Sequence, residues 1–156
     1  MAVPNNRITR YQGAIIQDDH ILLLLHRSHD GEWAHWVIPG GGIEDGESEE
    51  NCVVREMKEE THLDVRIERL LVHEPGHPDG VYKFRKTYLC TPIGGEAQPG
   101  YEPELEASSV YAIAAVRWFD LRDPTSWDTL TADDPYTYPQ MLNFQKLLGY
   151  ADGSPG

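Results

Sequence analysis

The feature that most constrains this chain is a glycine-rich turn that runs into an acidic helix. The stretch from Gly41 to Leu63 reads GGIEDGESEENCVVREMKEETHL. At 100° per residue, the side chains of Glu56, Glu59 and Glu60 lie within about 100° of arc on one face of such a helix. Like charges at these spacings destabilise an isolated helix. We therefore expect a hard divalent cation to neutralise this face.

The rest of the predicted helix explains how the acidic face is held in place. Arg55 precedes Glu59 by four residues, a spacing at which the two side chains pair. Ser48 is a good N-cap, and the two glutamates that follow it suit the positive end of the helix dipole. Four less polar residues form a side that can dock on a core, namely Val53, Val54, Met57 and Thr61.

The spacing of these residues resembles the Nudix box, in which a glycine, a glutamate and an Arg-Glu-x-x-Glu-Glu segment stand at fixed intervals. The matching positions here are Gly41, Glu47, Arg55, Glu56, Met57, Glu59, Glu60 and Leu63. Six fixed positions would agree by chance in on the order of one in a hundred thousand such chains. His62 stands where the family has a glycine, at the point where a left-handed residue often closes the last turn, and histidine is enriched in that conformation.

The resemblance implies the Nudix fold, an α/β/α sandwich with a mixed β-sheet, and hydrolysis of a nucleoside diphosphate linked to another group. The implied cofactor is Mg²⁺, with Mn²⁺ as a substitute, because the ligands that the resemblance implies are all oxygen donors. By position, the metal ligands would be Glu56, Glu59, Glu60 and the carbonyl of Gly40 or Gly41.

The resemblance leaves the general base open between two sources. One is Glu56 itself, and the other is a glutamate of the 102–106 loop, since the family commonly draws a further carboxylate from that region. The candidates in the loop are Glu102, Glu104 and Glu106. Glu47 and Arg55 would support the site by holding the loop and the helix together.

Basic and aromatic residues elsewhere are candidates for substrate binding. Arg27 ends an apolar strand, a position from which the family often presents an arginine to substrate; the alternative is a simple surface charge. Lys83 and Arg85 alternate onto one face of a predicted strand, about 7 Å apart, and either grip a polyphosphate or form an exposed basic face. Five aromatic residues either stack on a base or belong to the core, namely Tyr11, Trp33, Trp36, Phe84 and Tyr88.

Patterning elsewhere predicts strands around the motif and a closing helix. The predicted strands cover residues 7–17, 20–26, 36–39, 63–73, 81–90 and 110–119. The final helix begins near Pro139, and its apolar stripe contains Met141, Leu142, Phe144, Leu147 and Leu148. Strands on both sides of a helix-bearing motif fit a mixed sheet between helices.

Length and charge limit the partners. The 156 residues suit a single domain over 1–150 with a frayed tail at 151–156. The formal charge of −13 argues against nucleic acid and anionic membranes as main partners and favours a small-molecule substrate. The sequence has no signal-peptide pattern, and Cys52 and Cys90 lack metal-ligand spacing, so we expect a cytoplasmic protein with reduced, buried cysteines. Homodimers are common in the family.

Two other functions remain to be weighed on the same fold. A non-catalytic sensor would bind a nucleotide and report it to a partner, but such modules usually lose the acidic residues, which this chain keeps. The hypothesis of an isomerase of small prenyl diphosphates is less well supported, because the sequence has no well-placed cysteine for that reaction. The spacing does not choose among leaving groups or fix the number of metal ions.

Overall fold

The computed structural model describes residues 8–78, 80–101, 108–128, 130 and 134–150. The strands are β1 Thr9–Gln17, β2 His20–Ser28, β3 Ala34–Val37, β4 Gly40–Gly41, β5 Asp64–Pro75, β6 Phe84–Gly94 and β7 Tyr111–Asp120. Within these ranges the structure places helices α1 Glu49–Thr61 and α2 Thr137–Leu147 and a 3-10 turn at Pro124–Ser126.

The strands form one mixed sheet that divides at β1. Its order is β3-β2-β1-β6-β5, with β4 paired to β1 and β7 paired to β2. The first seven residues of β1 run parallel to β6, from Thr9 opposite Phe84 to Ile15 opposite Cys90. The last two residues of β1 turn to β2 instead, and all the other strand pairs are antiparallel. The expected mixed sheet is confirmed, and its two wings share β1.

Each helix covers its own apolar core. The first core joins α1 to the sheet through buried Cys52, Val53 and Met57, packed with residues of β1, β2, β5 and β6. The second joins Met141 and Phe144 of α2 to residues of β1, β2 and β7. The layers are therefore helix, sheet and helix, as expected for an α/β/α sandwich. Both cysteines are free and buried.

The boundaries of α1 follow the local signals. The Ser48 hydroxyl accepts a hydrogen bond from the Asn51 backbone N–H at 3.1 Å. At the other end, His62 has φ 66° and ψ 10°, and its N–H donates to the Lys58 carbonyl. A left-handed residue thus closes the helix and turns the chain into β5.

Three predictions on the elements need correction. β3 begins at Ala34, two residues early, because its first residues pair with the end of β2. β6 begins only at Phe84, so Lys83 precedes the strand and does not share its alternation. In α2, Leu142 and Leu147 are 39% and 45% exposed, so the stripe that packs on the core is narrower than predicted.

Some predictions fall outside the residues that the structure describes. These are the tail at 151–156 and the glutamates of the 102–106 loop. Among the described residues, no helix is long and apolar enough to cross a lipid bilayer.

Candidate active site

Two of the three carboxylates on the acidic face of α1 lie inside the protein. Glu56 and Glu60 are 1% and 0% exposed, whereas the Glu59 side chain is 19% exposed. Buried glutamates are rare because removing a charge from water is costly unless a partner compensates it. The arrangement of the site therefore depends on what surrounds these carboxylates.

Arg55 is the cation that joins the carboxylates to the preceding loop. Its guanidinium makes two hydrogen bonds to Glu47, Nε to Oε2 at 2.7 Å and Nη2 to Oε1 at 3.0 Å. Its Nη1 donates to Glu56 Oε1 and to Glu59 Oε2, each at 3.1 Å. Nη2 also donates to the Gly42 carbonyl at 3.1 Å. A planar guanidinium with five donors can bind several acceptors at once, so it fixes loop and helix together.

The charges shift the pKa values of these groups in opposite directions. The hydrogen bond from Arg55 holds the pKa of Glu47 below its usual range. Burial raises the pKa of Glu59, with a further increase from the Glu56 charge, although Arg55 opposes both effects. The hydrogen bond to Glu47 in turn raises the pKa of Arg55. The guanidinium therefore stays charged while the carboxylates differ in their affinity for a proton.

Gly41 lies directly against the most buried part of this cluster. A Cβ at this position would lie closer to Glu56 Oε1 than van der Waals contact allows. Glu56 Oε2 is fully buried and has no hydrogen-bond partner among the described residues. A buried carboxylate oxygen beside bare backbone, in an all-oxygen set of donors, is suited to a hard divalent cation such as Mg²⁺.

The carboxylates do not by themselves form a finished metal site. Across the described ranges, no group of three or more His, Cys, Asp or Glu side chains is arranged to hold a metal ion. The contacts of Arg55 give a physical reason, since the same guanidinium occupies an oxygen of Glu56 and an oxygen of Glu59. The donor types therefore fit Mg²⁺, and binding would require these side chains to share their oxygens between Arg55 and the ion.

A loop after β6 covers the end of α1. The backbone N–H groups of Gln98, Gly100 and Tyr101 donate to the carbonyls of Thr61, Glu60 and Glu59 at 2.8–3.0 Å. These bonds satisfy carbonyls that the last turn of a helix leaves open. Tyr101, which donates to the Glu59 carbonyl, is the last described residue before the predicted Glu102, Glu104 and Glu106.

A cavity of about 290 Å³ reaches Ile38, three residues before Gly41. Eight of its nineteen lining residues carry aromatic or imidazole rings, namely His26, Trp33, His35, His77, Tyr82, Phe84, Tyr111 and Tyr136. Two arginines also line it, Arg10 and Arg85. Small-molecule sites usually combine such apolar walls with a few polar groups.

The two arginines of the cavity are cross-strand neighbours. Arg10 of β1 lies opposite Arg85 of β6, and Arg85 lies opposite Glu74 of β5. Arg85 Nε donates to Glu74 Oε1 at 2.9 Å, and Arg10 Nη2 donates to the Ile38 carbonyl at 2.8 Å. The cavity wall therefore carries two neighbouring guanidinium groups, and that of Arg85 is paired with Glu74.

The substrate-binding candidates from the sequence do not all meet here. Arg85 lines the cavity, as do Trp33 and Phe84, whereas exposed Arg27 and Lys83 do not. Tyr11 and Tyr88 are 8% exposed and belong to the core beneath α1. Trp36 packs against the other core, with its ring 5.3 Å from that of Phe119.

Comparison with known proteins places this arrangement in a family. The sequence model of the NUDIX domain matches residues 8–141, which is more than half of the chain. The chain belongs to the Nudix family. The match covers every described strand and α1, so the acidic cluster and the cavity both lie within the matched domain.

Individual Nudix relatives are similar over part of their length. An ADP-ribose pyrophosphatase from Methanocaldococcus jannaschii is 34% identical over 55% of this chain and 52% of its own length. An NAD-capped RNA hydrolase from Vibrio atlanticus is 31% identical over 69% of this chain and 35% of its own. The chain thus spans about half the length, or less, of these curated relatives. A crystal structure of an ADP-ribose pyrophosphatase from Streptococcus suis is 30% identical, covers 75% of this chain and 76% of that one, and has a TM-score of 0.56.

The sequence did not single out several residues that line the cavity of this Nudix protein. Arg10, His26, Tyr111 and Tyr136 come from separate strands and a loop, and none belongs to a spaced motif. A usable signal existed only for Arg10, because it alternates with Gln12 in the predicted strand 7–17 and so shares one face with it.

Proposed function

We propose that this protein hydrolyses the P–O–P linkage of a nucleoside diphosphate joined to another group, with Mg²⁺, or Mn²⁺ in its place, as cofactor. The observation that supports this most directly is the buried carboxylate of Glu56 against the backbone of Gly41, with one oxygen lacking a partner among the described residues. A buried carboxylate oxygen without a partner lowers the stability of an ordinary protein core, whereas the same oxygen is a suitable ligand for a hard divalent cation.

The chain's own residues divide the work. Glu56, Glu59 and Glu60 would hold the metal, together with the carbonyl of Gly40 or Gly41. When bound, Mg²⁺ stabilises negative charge on phosphate oxygens and lowers the pKa of a water molecule. Arg55 and Glu47 keep the helix and loop in register, because their paired hydrogen bonds resist separation of the two segments. Glu56, or a glutamate of the 102–106 loop, would accept the proton of the attacking water.

Two observations support the proposed substrate class, the arginines that line the cavity and the activities of the relatives. Arg10 and Arg85 provide positive charge beside the cavity in a chain whose formal charge is −13, and guanidinium groups bind phosphate well. The relatives named above act on ADP-ribose and on NAD-capped RNA, and both molecules contain an adenosine diphosphate unit. A nucleoside diphosphate derivative with a small leaving group therefore suits the site best.

The test is nucleotide release from a panel of nucleoside diphosphate derivatives with and without Mg²⁺. We expect turnover that requires the metal and falls by a factor on the order of 10²–10³ in Glu60→Gln, since a group that stabilises developing charge contributes about that much. The matched control is Glu50→Gln, an exposed glutamate of the same helix, which should keep its activity.

Two outcomes would overturn the proposal. Undiminished turnover in Glu60→Gln would remove the metal role of the acidic helix. A ligand-induced rise in thermal stability without turnover by any member of the panel would favour the sensor function instead.

A further inference from the structure

The aromatic cavity contains one buried polar atom that nothing in the described chain satisfies. Gln12 donates to Thr87 Oγ1 at 2.9 Å and to Gln140 Oε1 at 3.0 Å, and Gln140 donates to the Tyr136 carbonyl at 3.0 Å. His26 also lines the cavity and is 93% buried, yet its Nε2 has no hydrogen-bond partner among the described residues. A native protein seldom leaves such an atom unsatisfied unless something binds it.

The surroundings of His26 keep its ring neutral and fixed. Burial lowers the pKa of His26 to about 3, and the charges of Arg10 and His35 act in the same direction. The ring stacks on Tyr111, with centroids 4.2 Å apart and planes 22° apart. His26 and His35 are direct cross-strand partners between β2 and β3. A neutral imidazole offers one donor or one acceptor at Nε2, and a packed ring presents it in a defined direction.

The neighbouring rings form flat apolar walls around this polar atom. Trp33 stacks on His35 at 5.2 Å and lies 5.9 Å from Tyr111, and His77 packs on Tyr136 at 4.1 Å. Aromatic walls favour a planar ligand through stacking and hydrophobic contact. A volume of about 290 Å³ is at the small end of ligand sites, which suits one base with part of its sugar.

We propose that His26 is a specificity-determining residue that hydrogen-bonds the polar edge of a heteroaromatic base stacked among Trp33, Tyr111 and Tyr136. The inference rests on the proposed function, because the same ligand would extend past Arg10 and Arg85 to the acidic helix. The two arginines attract the phosphates, so the uncharged end of the ligand takes the aromatic end of the cavity. A ligand without a polar edge would leave His26 Nε2 unsatisfied, which is how a buried polar group discriminates between ligands.

The test measures binding without turnover. Tryptophan fluorescence or calorimetry, with no divalent metal present, would compare AMP, GMP, CMP and UMP with ribose 5-phosphate, which has the sugar and phosphate but no base. We expect at least one nucleotide to bind the wild-type protein ten or more times as tightly as ribose 5-phosphate. His26→Phe should lose most of this preference and bind ribose 5-phosphate unchanged, and His26→Gln should restore part of it.

The control is His20→Phe, which changes a histidine at the other end of β2, away from the cavity. For any derivative that is hydrolysed, His26→Phe should raise KM about tenfold and leave kcat within a factor of two, a split that a general loss of folding would not give. The inference is overturned if no nucleotide exceeds ribose 5-phosphate in the wild type, or if both His26 variants keep the preference. Base binding without hydrolysis would instead refute the proposed function and leave this inference standing.

Discussion

The acidic helix and the aromatic cavity adjoin one short segment, the helix at Gly41 and the cavity at Ile38, yet their polar groups differ in kind. At the helix, three carboxylates, those of Glu47, Glu56 and Glu59, share the guanidinium of Arg55. A further positive charge would stabilise this cluster. In the cavity, the buried polar groups are neutral, and His26 Nε2 lacks a hydrogen-bond partner among the described residues. The first region suits a cation, and the second suits an uncharged planar group.

If the proposed function is right, this difference means that one ligand would be held by two independent mechanisms. A change at the helix should alter the response to divalent cations and spare the binding of a base. A change in the cavity should do the reverse. If instead both regions respond together to each change, the Ile38–Gly41 segment couples them and the comparison fails.

The largest effect should come from removing the shared cation. In Arg55→Ala, buried Glu56 loses its ion pair and Glu47 loses two hydrogen bonds, so the free energy of unfolding should fall by about 3 kcal/mol. Because Mg²⁺ supplies part of the lost charge, its stabilising effect should be larger in the variant than in the wild type. Urea denaturation with and without excess Mg²⁺ measures both.

The control for the shared cation is Arg66→Ala. Arg66 pairs with Glu68 on the surface, and exposed pairs of this kind change stability little. A loss in Arg55→Ala no greater than that of the control would show that the buried carboxylates do not depend on the guanidinium.

The next effect should come from filling the space at Gly41. The new methyl group in Gly41→Ala would collide with Glu56, and overpacking of this kind costs about 2 kcal/mol. Stabilisation by Mg²⁺ should weaken, whereas nucleotide binding without metal should not change. Gly94→Ala is the control, since its Cβ would lie 3.3 Å from Asp64 Oδ2 at the end of an exposed side chain. Normal Mg²⁺ stabilisation in Gly41→Ala would contradict the role of this close approach.

The third prediction concerns the cavity alone, because the unfolding free energy should depend on pH through His26. The pKa of His26 is about 3 in the folded protein and about 6.5 when unfolded, so the unfolded chain binds the proton more readily. Stability is therefore lost as pH falls below about 6.5, by about 1.3 kcal/mol between pH 7 and 5.5. His26→Phe cannot titrate, so its unfolding free energy should show that much less pH dependence over the same range. Equal slopes for the two proteins would mean that His26 binds a proton as readily in the folded protein as in the unfolded chain.

The same contrast explains how much the sequence predicted. The acidic cluster lies within one helix and the loop before it, so its spacing alone predicted the shared face of Glu56, Glu59 and Glu60, and the pairing of Arg55 with Glu59. Ser48 and His62 likewise carry their capping signals locally. Local periodicity also predicted the strands, because burial on a sheet repeats every second residue.

The cavity could not be predicted in this way, because its wall depends on how distant strands pair. Arg10 and Arg85 are 75 positions apart and become neighbours only through the parallel register of β1 and β6. Arg85 was singled out from the sequence with Lys83 as its partner, but β6 begins after Lys83 and the neighbouring cation is Arg10. His26 shows no polar pattern in sequence, and its importance follows from burial and from the missing partner of Nε2.

The smallest effect tests whether the loop before α1 is part of the acidic cluster. Arg55 lowers the pKa of Glu47 by hydrogen bonding, so this carboxylate stabilises the folded protein above its unfolded pKa of about 4.3, and the contribution disappears as pH falls through the lower folded value. Glu47→Gln should cost about 1 kcal/mol at pH 7, because the side chain is partly exposed and one amide oxygen still accepts from Arg55. The deficit should shrink in acid, where wild-type Glu47 is protonated too, whereas exposed Glu32→Gln should show no deficit at either pH. A Glu47→Gln deficit that grew in acid would mean that the carboxylate is not held by Arg55, and that the cluster ends with the helix.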